Sequence, residues 1–329
     1  MAEFTVRRGS VRVPAFEGYG AQFNQNVFAQ VTADEGVTQH HCHKLEDHVK
    51  DLGPQFVRIF FNRNAFSDKD LRDSFQSTVS LAQKVASTIN VTWAGGGLER
   101  PDVSHAPIRG GPRRPREEPA WNHGDTAKLE GRLKEVREIV RGLPEAGRRP
   151  LYITEYGVRG FYKKPHQPPV HSEPGVLEEG GARVVGTNVN AFQHAWFNLR
   201  AAQRKFHGLA KWDAYFGKYD LAPQPFPQEY GMIGRPGPGG WKLRPSYELT
   251  RLFTHTVKPR WNVIDVDGPS DDRLVVGFEK PGGALTVIGL DTRGGLSNSP
   301  PSTVISYELG GLPLGSVFAV TTLPPPVLT

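Results

Sequence analysis

Apolar residues follow two rhythms along this chain. Up to Val257, short and nearly continuous apolar runs alternate with stretches in which apolar residues recur every three or four positions. Phe16–Asn24 (FEGYGAQFN) reads as a first strand and turn punctuated by glycine. A polar helix is expected from about Thr38 to Asp51, with Leu45, Val49 and Leu52 on one face. Gln55–Phe61 (QFVRIFF) is the second strand, and its almost unbroken apolar texture suits a strand covered on both faces. Ser74–Thr88 predicts a helix and Ile89–Ala94 a third strand. Alternation of this kind, βαβαβ, implies a parallel sheet with helical crossovers.

Between Gly95 and Gly124 the rhythm stops, leaving only Gly, Pro, Arg and acidic residues where an apolar run should be. It resumes at Asp125 or Thr126, a suitable N-cap, with Leu129, Leu133, Val136, Ile139 and Val140 forming an amphipathic stripe. That helix leads into Pro150–Gly157 (PLYITEYG). After a loop rich in Pro and His, Thr187 and Asn188 open another helix carrying Phe192, Trp196 and Leu199, which feeds the strand Leu209–Phe216 (LAKWDAYF). A helix near Ser246–Val257 closes this part. From Trp261 the second rhythm begins, with short alternating runs (WNVIDVDG, RLVVGFEK, ALTVIGLDT, TVISYELG, SVFAVTTL) separated by turn residues, which predicts a small antiparallel β-sandwich. The pattern divides the chain into an α/β domain at 1–259 and a β-domain at 260–329, with 101–124 irregular.

Composition narrows this picture. A chain of 329 residues accommodates one large domain and one small one, and 37 Gly with 28 Pro exclude a helical bundle. The formal charge of +6 draws heavily on one run, Arg109–Arg116, which lacks interleaved aromatics and any recognisable module; a solvated basic loop is expected there, not nucleic-acid binding. One cysteine, Cys42, excludes an internal disulfide. The first residues contain no apolar signal core and no stretch is apolar enough to span a membrane, so a soluble protein is expected, cytoplasmic or secreted with its signal removed. His40, His41, Cys42, His43 and His48 are metal-ligand types, but their spacing matches no standard site and neighbours on a helix point apart; a solvated helix start is expected, and no metal.

Glu155 is the position where chemistry shows most clearly. A carboxylate closes the apolar run just before Gly157, and in parallel β/α barrels catalytic groups stand at the C-terminal ends of strands. The alternative is a strand-end Glu that faces water. The GYGAQFN turn, VRIFFN, YITEYG, KWDAYF and YGMIGRPGPGGWKLRPSYELTRLFTHTV together resemble clan A glycoside hydrolases, and the likeness covers most of the chain outside Pro101–Ala120. The resemblance implies a TIM-type β/α barrel followed by a β-sandwich, retaining hydrolysis of β-glycosidic bonds in a carbohydrate substrate, and no cofactor. It places the nucleophile, at the end of barrel strand seven, on Glu155. It also implies substrate-binding roles for Asn24, for Arg58 on strand two, and for Trp212 beneath the sugar beside the cleaved bond. By their residues alone, Arg58 reads as a strand-end ion pair and Trp212 as a core residue. Trp93 is a further aromatic platform, and Trp121 with His123 would be a remnant of strand six lining the cleft.

One departure from the pattern has structural consequences. The clan's acid/base is a Glu at the end of strand four, normally preceded by Asn, and Asn-Glu occurs nowhere in this chain. Glu118, followed by Pro119, is the acid/base candidate in that stretch. Strands four and five would have to fit between Val103 and Trp121, whereas each βα unit needs roughly thirty residues. The barrel is therefore expected to be incomplete through an internal deletion between strands three and six. Its exposed sheet edges would favour self-association. The alternative functions are a non-catalytic carbohydrate-binding protein and an inactive, internally deleted relative.

Overall fold

The computed structural model describes residues 2–94, 126–142, 150–156, 188–218, 230–268, 273–291 and 307–312. Local capping chemistry sets its first long helices. Thr38 opens α2 (Gln39–Leu52) by accepting from the His41 backbone N–H while the His41 ring accepts from the Thr38 N–H at 3.1 Å; Gly53, in the left-handed region at φ 61°, closes it. Asp68 opens α3 (Lys69–Val85), accepting from the Leu71 N–H at 3.2 Å. This helix begins one turn before the periodicity implied. Its first turn has one apolar residue, the buried Leu71, among charged ones, and the Lys69–Asp73 pair at 2.5 Å spans it, so the apolar spacing there is weak.

Five parallel strands form the central sheet, in the order β4 (Thr88–Ala94), β3 (Phe56–Asn62), β2 (Gly18–Phe23), β6 (Gly208–Lys211), β5 (Tyr152–Tyr156). Tyr19, Ala21, Phe23, Val57, Ile59 and Leu209 face the helical layer and are buried with it. On the opposite face the strands approach closely. A Cβ on Gly20 would lie 2.2 Å from the Phe56 carbonyl oxygen, and one on Gly208 would lie 2.9 Å from the Tyr152 ring, so only glycine fits at these points. The order and direction are those of barrel strands three, two, one, eight and seven. A half-barrel of a TIM-type fold results, as the break in the sequence rhythm implies. Among the described residues nothing pairs with the outer edges of β4 and β5.

The second sheet has the order β11 (Leu285–Asp291), β10 (Arg273–Glu279), β9 (Trp261–Asp267), β1 (Ala2–Phe16), β12 (Tyr307–Gly310). The hydrophobic pattern did not reveal β1. This strand runs antiparallel to β9 and parallel to β12, so residues 2–16 join the C-terminal strands although they precede the barrel in sequence. Its arginines conceal it: Arg8 pairs with Glu279 at 2.6 Å, Arg12 with Asp265 at 2.5 Å, and Arg7 with Asp267. The described strands make one sheet, where two packed layers were expected. Its inner face, with Val263, Leu274, Val276 and Phe278, is covered by α5 (Asn188–Gln203) and α6 (Pro245–Thr256), which take the place a second sheet would occupy. The run from Ser316 to Leu323 lies outside the described residues.

The amphipathic stripe of α4 (Thr126–Arg141) is only partly used. Leu133 is buried in the core shared with α5, but Val136 and Ile139 remain 43% and 55% exposed, and among the described residues no strand lies beyond β5 in the parallel sheet. A two-stranded hairpin, β7 (Ile233–Gly237) and β8 (Gly240–Leu243), precedes α6. No helix among the described residues is long and apolar enough to cross a membrane.

Candidate active site

Parallel pairing brings the C-terminal ends of β2 to β6 together, and five of the sequence candidates, Asn24, Arg58, Trp93, Glu155 and Trp212, lie on these strands or directly after them. Arg58 stands on β3 level with Gln22 of β2 and Asn90 of β4. Its guanidinium lies 4.0 Å above the Phe60 ring and donates through Nη1 to the Thr154 carbonyl oxygen at 3.3 Å. β2 and β6 separate β3 from β5 in the sheet, a distance of about 14 Å if the strands lay flat, beyond the reach of one side chain. The hydrogen bond therefore reports a strongly curled sheet, whose concave face holds Arg58 over the strand that carries Glu155.

Glu155 lies in a β-bulge. Tyr152 pairs with Gly208 and Ile153 with Leu209, but Lys211 pairs with Tyr156, so residues 154 and 155 together oppose Ala210. Both flanks of Glu155 are anchored. On one side Arg58 holds the Thr154 carbonyl; on the other, the Tyr156 hydroxyl donates to Asn198 Oδ1 of α5 at 2.5 Å and its ring packs against Phe197 at 4.8 Å. Burial raises the Tyr156 hydroxyl above its ordinary pKa, so it stays protonated and remains a donor.

Trp212 follows β6 directly and its N–H donates to the Tyr156 carbonyl at 2.8 Å, which ties it to the residue after Glu155. The half-buried indole stacks on Tyr230 at 4.9 Å with an interplanar angle of 28°. The Trp212–Asp213 peptide bond is cis. Asn24 is placed differently from a ligand-facing residue. It is fully buried, its Nδ2 donates to the Gly217 carbonyl at 2.7 Å and its Oδ1 accepts from the Asn26 N–H at 2.9 Å, so it bolts the turn after β2 to the loop after β6. Trp93 lies in β4 opposite Phe61. Glu118, Trp121 and His123 lie outside the described residues.

Sequence reasoning missed a buried polar cluster beneath Trp212. Lys211 is 1% exposed, and its Nζ donates to the Trp212 carbonyl and to the Tyr230 carbonyl at 3.0 Å. Burial pushes its pKa down to about 7, with Asp213 opposing and Arg244 adding to the fall. His194 of α5 is equally buried; its ring lies 5.7 Å from Tyr156, and both nitrogens lack a hydrogen-bond partner among the described residues. Burial, then the nearby Lys211, holds this imidazole well below its usual range. Asp213, 2% exposed, accepts from Gln22 Nε2 at 3.2 Å. A signal was available: a lysine inside the apolar run LAKWDAYF must bury its charge or lose it. The histidine run behaves as a helix start. His41 belongs to the α2 cap and its carbonyl accepts from Trp241 Nε1 at 2.8 Å, and no group of three or more ligand-type residues suited to a metal ion occurs among the described residues.

No protein-family model matches this chain, and no curated protein matches its sequence. Solved structures do. SrfJ from Salmonella typhimurium is 10% identical with a TM-score of 0.53, covering 88% of this chain and 85% of that one. An endo-β1,6-glucanase is 10% identical with a TM-score of 0.54, covering 88% and 87% respectively. The catalytic domain of xylanase C from Talaromyces cellulolyticus, a family 30 glycoside hydrolase, is 10% identical with a TM-score of 0.51, covering 89% and 87%. At this identity the likeness is one of fold. The chain thus shares the TIM-type fold of these solved structures, glycoside hydrolases among them, with five described parallel strands making half of the barrel.

Proposed function

We propose that this chain is a glycoside hydrolase-like protein that acts on β-glycosidic bonds with retention, Glu155 serving as nucleophile. The observation that carries this reading is the Arg58–Thr154 hydrogen bond, which gathers a cation, the Glu155 bulge and Trp212 at one end of a curled parallel sheet. Retention needs a carboxylate to attack the anomeric carbon and an acid about 5 to 5.5 Å away to protonate the leaving oxygen. Glu118 is the candidate acid. An activated aryl leaving group dispenses with that proton, so the half-site can be tested alone. A 2-deoxy-2-fluoro β-glycoside with a dinitrophenyl leaving group is expected to add one glycosyl unit, mapping to Glu155 by peptide mass spectrometry. Failure of several sugar configurations to label that residue removes the nucleophile assignment.

A second reading, non-catalytic carbohydrate binding, draws on a specific feature. Along the concave face, Arg58, Phe60, Asn90, Tyr152 and Thr154 are at least partly exposed and supply aromatic and polar surface, and no carboxylate is among them. Under this reading sugar binding is saturable, survives Glu155→Gln and is accompanied by no turnover. Both readings include association through the sheet edges. Sedimentation velocity is expected to show oligomers growing with protein concentration, and a monomer at every concentration would refute that association.

A further inference from the structure

A second concave site lies at the opposite end of the parallel sheet, where the last turns of α4 and α5 lead toward the starts of β5 and β6 and meet β1 and β9. It encloses about 390 Å³. Six of its lining residues are cations, Arg12, Lys134, Arg137, Arg141, Arg204 and Lys205, against two carboxylates, Glu138 and Asp265.

Internal pairing accounts for only part of that charge. Arg12 takes Asp265 at 2.5 Å, Arg141 takes Glu138 at 3.2 Å, and Arg204 pairs with Glu130, outside the recess. Among the described residues Lys134, Arg137 and Lys205 form no ion pair. Helix C-termini attract cations, which explains one such residue per helix. At α5 that role is already filled, since Arg12 Nη1 donates to the Gln203 carbonyl at 3.2 Å. Crowding is visible in the remaining groups. Arg137 is lowered from its ordinary pKa by burial and then by Arg141, and Arg204 by burial and then by Arg12. Arg204 Nε is also buried without a hydrogen-bond acceptor among the described residues. Converging guanidinium groups with spare N–H donors match the geometry of a tetrahedral oxyanion. The volume falls within the range of small-molecule sites, about 300 to 1,000 Å³.

We propose that this recess binds a tetrahedral oxyanion, a sulfate or phosphate either free or as the ester group of a small molecule. Its lining includes neither Glu155 nor Arg58, so the proposal stands or falls independently of the catalytic reading. The test is calorimetric titration of the full chain at constant ionic strength set with sodium chloride. Inorganic sulfate is expected to bind saturably at one site, and Arg137→Gln to weaken it about tenfold or more. Glucose 6-sulfate binding about tenfold tighter than inorganic sulfate assigns the site to a sugar ester, whereas equal affinity assigns it to the free oxyanion; both uphold the proposal. Should Arg137→Gln fail to fold, Lys134→Gln, a change at an exposed position, is expected to weaken binding about threefold. Absence of saturable binding, equal binding of unsulfated glucose, unchanged affinity in the folded variants, or tighter binding of a short oligonucleotide than of glucose 6-sulfate would each overturn it.

Discussion

The native protein is expected to gain stability between about pH 7 and pH 10, and Lys211→Met is expected to flatten that rise. In the folded chain the Lys211 amine loses its proton near pH 7, whereas in the unfolded chain it does so near its ordinary value of 10.5. Between those values the unfolded state binds one more proton than the folded state, so stability climbs with pH by up to about 1.4 kcal/mol per unit. His194 acts in the same direction below its ordinary value of 6.5, because the fold keeps it neutral while the unfolded chain protonates. Above pH 10 the trend reverses: Tyr19, Tyr156 and Tyr215 are raised by burial, and the unfolded chain ionises first. Methionine keeps the bulk of the side chain but gives up the donor to the Trp212 and Tyr230 carbonyls, an additional and pH-independent cost of about 1 to 3 kcal/mol. Urea denaturation from pH 6 to pH 9.5 measures both effects. Equal slopes in the native and Lys211→Met proteins would show that the amine titrates elsewhere.

The other large effect concerns chemistry. Arg58→Met is expected to slow fluoroglycoside labelling of Glu155 by about 10²-fold or more, the scale found when one oriented donor is removed from an active site. Arg58 holds the carbonyl that precedes Glu155, and a cation at this place favours the ionised form of a nearby carboxylate. Methionine retains the contact surface over Phe60 and loses both the charge and the bond to β5. The pH profile of labelling separates this role from a structural one, since loss of the cation moves its acidic limb upward. A labelling rate and profile equal to the native protein's would confine Arg58 to holding the sheet's curvature.

Much of the half-barrel was legible because its signals are local. The strands VRIFF and INVTWA carry continuous apolar runs, Thr38 and Gly53 bracket α2, and the apolar rhythm stops after Ala94, the last residue of β4. The candidate site was only partly legible. Motifs placed Glu155 and Arg58 on strands that the structure brings to one sheet, whereas Asn24, drawn from the same motifs, is engaged with Gly217 and Asn26. Nothing in the spacing of FEGYGAQFN reveals that bolt, because its partner comes from a loop 193 residues away.

The sequence by itself determined the alternation of strands and helices and their caps, since these depend on residues within a few positions of one another. Tertiary structure alone decided that an arginine-rich N-terminal segment would zip into the C-terminal sheet, and that Arg58 would reach across two strands to Thr154. It also decided that Lys211 would lie in surroundings dry enough to bring its pKa to about 7. Each of these outcomes depends on which distant groups share a face or exclude water, and the register of long-range pairing and the dielectric around a charge exist only once the chain has closed on itself.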